Sequence, residues 1–358
     1  MTDDTTAQVG DFISDNPDFM DALAVAQEKL FVARDMATEG TAADLHIGDV
    51  IADFAPSACL YDMQGEIERV LAACEGQDKP FLWRLAYPYL AVEADRRYTR
   101  RDLLEKAWPQ IRAIADELVA ADFSTLADEF AKGFDADAED HAFRGWAAIY
   151  AALALCDEAA QRLDQPTGDI DRAIEGFYKR VHEHFSHEDG SFGEGTQTSY
   201  ALAARLGLGD SRGLANRLAE LVRTDGGTDD PIGAAFAFDQ LGRFGHDGAA
   251  EDWLLSGAGS SAVQWLFQGL GGIRIADDAV AADHIVARPY FSNKTDNVTC
   301  SYQTPRGQLF LTWERKGGNI AVTLRVPAGT QVDLWLDGAL QVIPSDPDPI
   351  TQAFLIEG

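Results

Sequence analysis

The first 272 residues break at their turn formers into about twelve helix-length segments, and alternate segments differ in polarity. The segments are 17–34, 42–60, 65–75, 80–93, 101–119, 140–157, 167–186, 197–206, 211–223, 231–243, 247–256 and 260–270. Caps and stops such as Asn16-Pro17, Thr41, Asp78-Lys79-Pro80, Pro166-Thr167-Gly168, Asp210-Ser211 and Asp230-Pro231 mark their ends. The even-numbered segments, such as 145–156 and 231–241, are apolar nearly all round, whereas 101–119 and 167–186 carry charge on one face. A helix that is hydrophobic all round is buried, and an amphipathic one covers it. Six buried and six covering helices in strict alternation predict an (α/α)6 toroid, with an irregular helical bundle as the alternative.

Past Gly272 the texture changes. Val298–Tyr302, Gln308–Trp313, Ile320–Leu324 and Val332–Leu336 alternate apolar with polar residues, and Arg306-Gly307, Lys316–Asn319, Ala328-Gly329 and Asp337-Gly338 separate them as tight turns. The expected chain is therefore mainly α with a β domain: residues 1–272 a barrel, residues 273–358 a small antiparallel β-sandwich.

Charge restricts the partners. The chain has 59 Asp+Glu against 29 Lys+Arg, a formal charge of −30, and only 7 of its 29 basic residues are Lys. Such a balance excludes attraction to nucleic acid or anionic lipid, which needs a basic surface. With 46% hydrophobic residues the chain still builds a core, so the acidity reads as solubility, in particular solubility in concentrated salt that screens the repulsion. The longest uncharged run, Gly145–Cys156, is too short to span a bilayer, and the acidic N-terminus has no leader pattern. The expected location is cytoplasmic. Cys59, Cys74, Cys156 and Cys300 lack metal-site spacing and read as buried thiols.

Several stretches, taken in order, resemble the α-L-rhamnosidases of glycoside hydrolase family 78. They are Phe81-Leu82-Trp83 through Tyr98-Thr99 to Ala107-Trp108-Pro109; Asp189-Gly190-Ser191-Phe192 followed by Thr196–Ala203; and Val263–Ile273, similar to the last barrel helix and its exit into the sandwich. Arg288-Pro289, Thr304–Gly307, Leu311-Thr312-Trp313 and Val326–Thr330 continue the likeness. The resemblance is strongest over 190–335 and weak over 1–75. It implies a barrel followed by a sandwich and an inverting hydrolysis, in which one carboxylic acid protonates the leaving oxygen and a carboxylate activates water. The family's upstream β-domains have no expected counterpart, because helix signals begin by residue 17.

The resemblance implies its general acid in the stretch 35–49, where Asp35 and Gly48-Asp49 match but the Cys-Pro and Arg-Glu of the pattern are absent. Asp44 is the nearest candidate, with Glu39 behind it, and Asp44 fits equally well as the cap of helix 42–60. The implied base lies in a Trp-Glu-x-Trp motif before the last inner helix. Glu251-Asp252-Trp253 is its remnant here, although it falls more naturally in the preceding outer helix, which leaves the base-bearing loop deleted.

In a toroid the pocket is lined by loops at the N-terminal ends of the inner helices. That rule selects Asp44, His46 and Asp49; Lys79 and Trp83; Asp140, His141, Arg144 and Trp146; Glu194 and Gln197; Asp229 and Asp230. Aromatic faces stack on sugar rings while carboxylates and Arg bind hydroxyls, and capping accounts for part of the acids. Asp44, Glu194, Asp229 and Glu251 are the candidate catalytic groups. Asp49, His46, Trp83, His141, Arg144, Trp146, Gln197 and Asp230 are the candidate sugar contacts. His182, His184, His187 and Glu188 read as a solvated helix end rather than a metal site, and Asp277-Asp278, Asp283 and 346–349 as charged sandwich loops. No cofactor or metal is expected.

The expected ligand is an oligosaccharide or glycoside, with rhamnose cleavage as the implied reaction and a homo-oligomer left open. Two other readings stand beside it: a barrel without catalysis that binds a saccharide or a protein, and a lyase on rhamnose–uronate linkages using Lys79, His141 and Arg144.

Overall fold

A computed structural model describes residues 9–39, 47–73, 81–132, 134, 140–257 and 259–357, with side chains at all of these except 31–39 and 47–50. The helices run α1 (Pro17–Glu39), α2 (Ile47–Leu60), α3 (Gln64–Ala73), α4 (Trp83–Arg97), α5 (Arg101–Ala120), α6 (Phe123–Ala131) and α7 (His141–Arg162). They continue with α8 (Gly168–Phe185), α9 (Gln197–Arg205), α10 (Ser211–Asp225), α11 (Pro231–Phe244), α12 (Asp247–Leu255) and α13 (Ala262–Trp265), the last passing into a π-turn over Leu266–Leu270. Inner helices α2, α4, α7, α9, α11 and α13 alternate with outer helices α1, α3, α5, α8, α10 and α12, so the toroid read from the polarity pattern is present.

The polarity rule works residue by residue. Inner helix α7 buries every residue from Phe143 to Ile149, whereas outer helix α8 buries only Ile170, Phe177 and Val181 along one stripe. Helix ends follow local chemistry. Asp230 caps α11 by accepting from the Gly233 amide at 2.6 Å, Pro231 fills the first turn, and Gly245 at φ 82° ends it.

Helix α6 has no counterpart among the expected segments. Asp122 caps it through Ser124 and Thr125, it packs on α7 with Ala127 and Ala131 against Gly145, and Phe123 meets Phe177 of α8. The sixth inner helix has a single α-turn before its π-turn. In consequence α11 packs directly on α2, where Ala52, Ile232 and Ala235 form a small cluster with Phe134 and Phe236 beside it.

The sandwich holds β2 to β9: Ile273–Ile275, His284–Ala287, Asn297–Thr304, Gly307–Lys316, Asn319–Val326, Gln331–Leu336, Ala339–Ile343 and Ile350–Glu357. Its larger sheet takes a further edge strand, β1 (Gly10–Ser14), from the start of the chain, giving the order β1-β4-β5-β6-β9 with Phe12 opposite Cys300. The smaller sheet is β2-β3-β7-β8. Neighbours are antiparallel except β3 and β7, which run parallel, so the expected all-antiparallel sandwich is corrected at that one pair.

One continuous apolar core joins barrel and sandwich. Trp313, fully buried, donates to the Leu270 carbonyl at 3.0 Å, and Phe12 meets Phe267 at 6.1 Å between ring centres. Cys59, Cys156 and Cys300 are buried free thiols, and Cys74 lies outside the described residues. Among the described residues no helix is long and apolar enough to cross a membrane.

Candidate functional site

All six inner helices contribute to a central lumen of about 390 Å³. The contributing positions recur at helical spacing, as with Leu85, Tyr89 and Glu93 on α4 or Ile232, Phe236, Asp239 and Arg243 on α11, so each helix offers one stripe. Alanines 52, 55, 147, 148, 151, 154 and 235 hold the space open. Because outer and inner helices alternate, the inner ones all start at the same end. Near that end the lumen has an apolar collar of Ile51, Ala52, Phe134, Ile232 and Phe236. Near the other end it is charged.

The rim at the helix starts is built around an ion pair. Arg144, 2% exposed, reaches from the first turn of α7 to Asp230 and grips both carboxylate oxygens, at 3.1 and 2.7 Å. The fork geometry fixes both groups. Asp230 also receives Thr198 Oγ1 at 3.2 Å. Asp140, buried and left-handed at φ 56°, accepts from the Glu194 amide at 2.7 Å and from the Thr196 hydroxyl. Gln197, just after the loop that carries Glu194, ties that loop to the one before α11, donating to the Gly226 carbonyl at 2.6 Å and accepting from the Thr228 amide at 3.0 Å. Glu194 and Asp229 sit exposed on those two tied loops, and His141 is half-buried at the start of α7. The rim therefore brings together Arg144, Asp230, Asp140, Gln197, Glu194 and Asp229.

Other expected site residues lie elsewhere. Asp44, His46 and Lys79 lie outside the described residues, and Asp49 falls in α2 without a described side chain. Trp83, 3% exposed, is core and does not line the lumen. Trp146 points away from the lumen, stacking on His184 at 5.2 Å and touching Phe177, which puts it under α8. It sits two residues from Arg144, about 200° round the helix, so one of the two had to face outward. Glu251 is corrected as well. It is buried on outer helix α12, where it accepts from Ser292 and pairs with Lys294 at 3.3 Å, fastening the helix to the segment leading into the sandwich.

The charged end of the lumen was not expected. Asp239, on α11, takes Arg243 Nε at 2.9 and 3.1 Å, Gln240 at 2.6 Å, and the Arg274 guanidinium. Asp277 lies in the β2–β3 loop of the sandwich, as expected for a charged sandwich-loop residue, and from there also lines this end of the lumen. Its carboxylate holds Arg243 at 3.1 and 3.2 Å, and its carbonyl holds Arg96 at 3.0 Å and Arg162 at 2.8 Å. Glu93 binds Arg96 and Arg97.

Burial raises the Asp239 carboxyl, but Arg243, Arg274 and Arg205 outweigh it and hold the group far below the usual carboxylate range. Asp277 and Glu93 are lowered in the same way, against burial, by Arg243 and Arg205 and by Arg96 and Arg97 respectively. Burial pushes the Tyr89 phenol up, with Glu93 adding to it. One signal was there to be read: polar residues four apart, Tyr89-Glu93-Arg97 on α4 and Asp239-Arg243 on α11. Among the described residues no cluster of His, Cys, Asp and Glu could hold a metal.

Residues 275–344 match the family model of the bacterial alpha-L-rhamnosidase C-terminal domain. The chain superposes on the Streptomyces avermitilis alpha-L-rhamnosidase complexed with L-rhamnose with a TM-score of 0.75 and 14% identity, covering 99% of this chain and 42% of that one. Against the Aspergillus terreus enzyme the TM-score is again 0.75, with 14% identity over 97% of this chain and 50% of that one. The Dictyoglumus thermophilum enzyme also gives 0.75, with 13% identity over 99% and 50%. No curated protein matches the chain in sequence. The chain thus spans half or less of the length of these enzymes, and at such identity what is shared is the fold. By that fold and by its C-terminal domain the chain is alpha-L-rhamnosidase-like: a helical toroid followed by a β domain.

Proposed function

We propose that the chain is a carbohydrate-active protein of the glycoside hydrolase type, acting on terminal α-linked rhamnose or a related deoxysugar at the rim where the inner helices start. The observation that carries this reading is the arrangement there. A bidentate Arg144–Asp230 pair heads the lumen, and the carboxylates of Glu194 and Asp229, which make no bond among the described residues, stand on two loops joined by Gln197. Fixed polar groups orient hydroxyls, and carboxylates held at the rim without a protein partner among the described residues are available for acid–base chemistry. Inversion needs an acid and a base roughly 6.5–9.5 Å apart with water between them. Asp44 is proposed as the acid and Glu194 or Asp229 as the base. The rhamnosidase-like fold and the L-rhamnose bound in the Streptomyces avermitilis structure support the sugar class.

Turnover of an aryl α-L-rhamnoside panel in molar salt is the test. Glu194→Gln or Asp229→Asn, whichever is the base, is expected to lower kcat by about 10²–10⁴-fold, the usual worth of a general base. Unchanged turnover in both variants removes both from the role.

A second reading, saccharide binding without cleavage, is favoured by the one-turn sixth inner helix and by the engagement of Glu251 with Ser292 and Lys294. Absence of turnover combined with a melting temperature raised by L-rhamnose supports that reading over the first.

The salt is part of the proposal. At −30, repulsion among exposed carboxylates opposes the compact state. Going from about 0.1 M to about 1 M salt shortens the Debye length from roughly 10 Å to roughly 3 Å. The melting temperature is expected to rise over that range, and a fall would remove the salt-adapted reading.

A further inference from the structure

The charged end of the lumen holds more positive than negative charge, in a chain whose formal charge is −30. Five arginines (96, 97, 205, 243 and 274) line it against four carboxylates (Glu93, Glu158, Asp239 and Asp277). The acids are already engaged by Arg96, Arg97, Arg243 and Arg274. Arg205 is the surplus cation. Its guanidinium stands 3.9 Å from Asp239 and 3.8 Å from Asp277, beyond hydrogen-bond distance, and it donates no hydrogen bond among the described residues. Its side chain keeps 35% of its surface accessible while Asp277 keeps 50%, so the floor reaches water beside Asp277.

The lining above this floor is mostly alanine and leucine, with Tyr89, Gln264 and Gln268 among its polar members. Gln268 lies one helical turn below Gln264 and accepts from it at 3.3 Å, which leaves the Gln268 amide nitrogens free to donate. A guanidinium that donates no hydrogen bond among the described residues, neutral amides and a phenol in the same lining, and apolar walls are the partners of a carboxylate, of hydroxyls and of a ring's C–H face. The surplus is a single charge. A dianion such as phosphate would also meet Asp239 and Asp277 within about 4 Å of the same guanidinium, and like charges at that distance repel.

We infer that the arginine-lined floor of the lumen is a binding site for a hydroxylated monocarboxylate of the sugar-acid class, with Arg205 holding the carboxylate. This site is separate from the rim and does not depend on rhamnoside turnover.

Calorimetric titration of the whole chain at low salt, with D-galacturonate against its neutral counterpart D-galactose, tests it. Galacturonate is expected to bind at least about tenfold more tightly than galactose, the worth of one charge-assisted hydrogen bond. Arg205→Gln is expected to remove that preference and Arg205→Lys to keep part of it. Rhamnoside turnover, or stabilisation by L-rhamnose, should stay at the wild-type level in Arg205→Gln, so failure at the rim and failure at the floor are told apart. The inference is overturned if galacturonate binds no better than galactose, if Arg205→Gln leaves the preference intact, or if inorganic phosphate competes with galacturonate at equal concentration. Arg205 donates no hydrogen bond among the described residues but stands within ion-pair distance of Asp239 and Asp277, so a cooperative thermal transition of each variant is the check that the fold is kept.

Discussion

Asp239→Asn is expected to lower the free energy of unfolding by about 3–5 kcal/mol, the range for breaking a buried ion pair from one side. The amide keeps the shape of the carboxylate, so the loss is of charge. Asp239 is 7% exposed and is the hub of the floor, with Arg243, Arg274 and Gln240 all directed at its two oxygens. Without it Arg274, whose own pKa burial already lowers against the pull of Asp239, is left enclosed beside Arg243 with no carboxylate in contact. Urea unfolding at neutral pH measures the loss.

The same hub sets an acid limit. Asp239, Asp277 and Glu93 all have folded pKa values below their unfolded ones. Folding stability from such groups is fully present above the unfolded value, about 4, and is lost as the pH falls through the folded values. Wild type should therefore lose stability steeply on acidification below about pH 4, and Asp239→Asn should lose less over the same interval. Parallel losses in the two proteins would show that the floor is not the acid-labile part.

Periodicity in the sequence carried the architecture because an outer helix such as α8 buries a stripe whereas an inner helix such as α7 buries residues all round its first turns. Turn chemistry at Asp230-Pro231 or Asn16-Pro17 then set the boundaries. What escaped detection has physical causes. Strand β1 is five residues long, and its meaning comes from β4, where Phe12 faces Cys300 some 290 positions away. Helix α6 is nine residues long and lies between the expected segments 101–119 and 140–157, where no helix was expected.

Within the site the obstacle was the inner helices themselves. A helix that is apolar all round has no moment to say which side faces the lumen, so Trp146 and Arg144 looked equally eligible, although only Arg144 lines the cavity. Glu251 was legible as an outer-helix residue by its spacing, and its contacts to Ser292 and Lys294 lie 41 and 43 positions further on. The floor was hidden for a related reason. The pair Asp277-Asp278 reads as solvated and is substantially exposed, and only the end of α11 in front of it makes Asp277 part of the floor as well.

Gly227→Ala is expected to destabilise the protein by about 3 kcal/mol, the upper end for forcing added volume into a packed site, and to disorder the rim with it. The backbone of Gly227 is outside the left-handed region, so the cost is steric. An added Cβ would stand 1.7 Å from Cε2 and 1.9 Å from Nε1 of Trp253. Trp253 cannot retreat, because its ring is 5% exposed and lies flat on Phe238, 4.2 Å between centres and 10° between planes. The loop must move instead. That loop carries Thr228, whose amide Gln197 holds, and Asp230, which caps α11 and pairs with Arg144. A single methyl group should therefore lower the melting temperature and the response to L-rhamnose together. Two controls isolate the contact. Gly176→Ala, in α8 with nothing within 4 Å of the new atom, is expected to stabilise by about 0.5–1 kcal/mol through helix propensity alone. Trp253→Leu in the Gly227→Ala background makes room for the methyl group, so the double variant should lose less than the two single losses added together. Simple additivity would show that the loop is not held against Trp253.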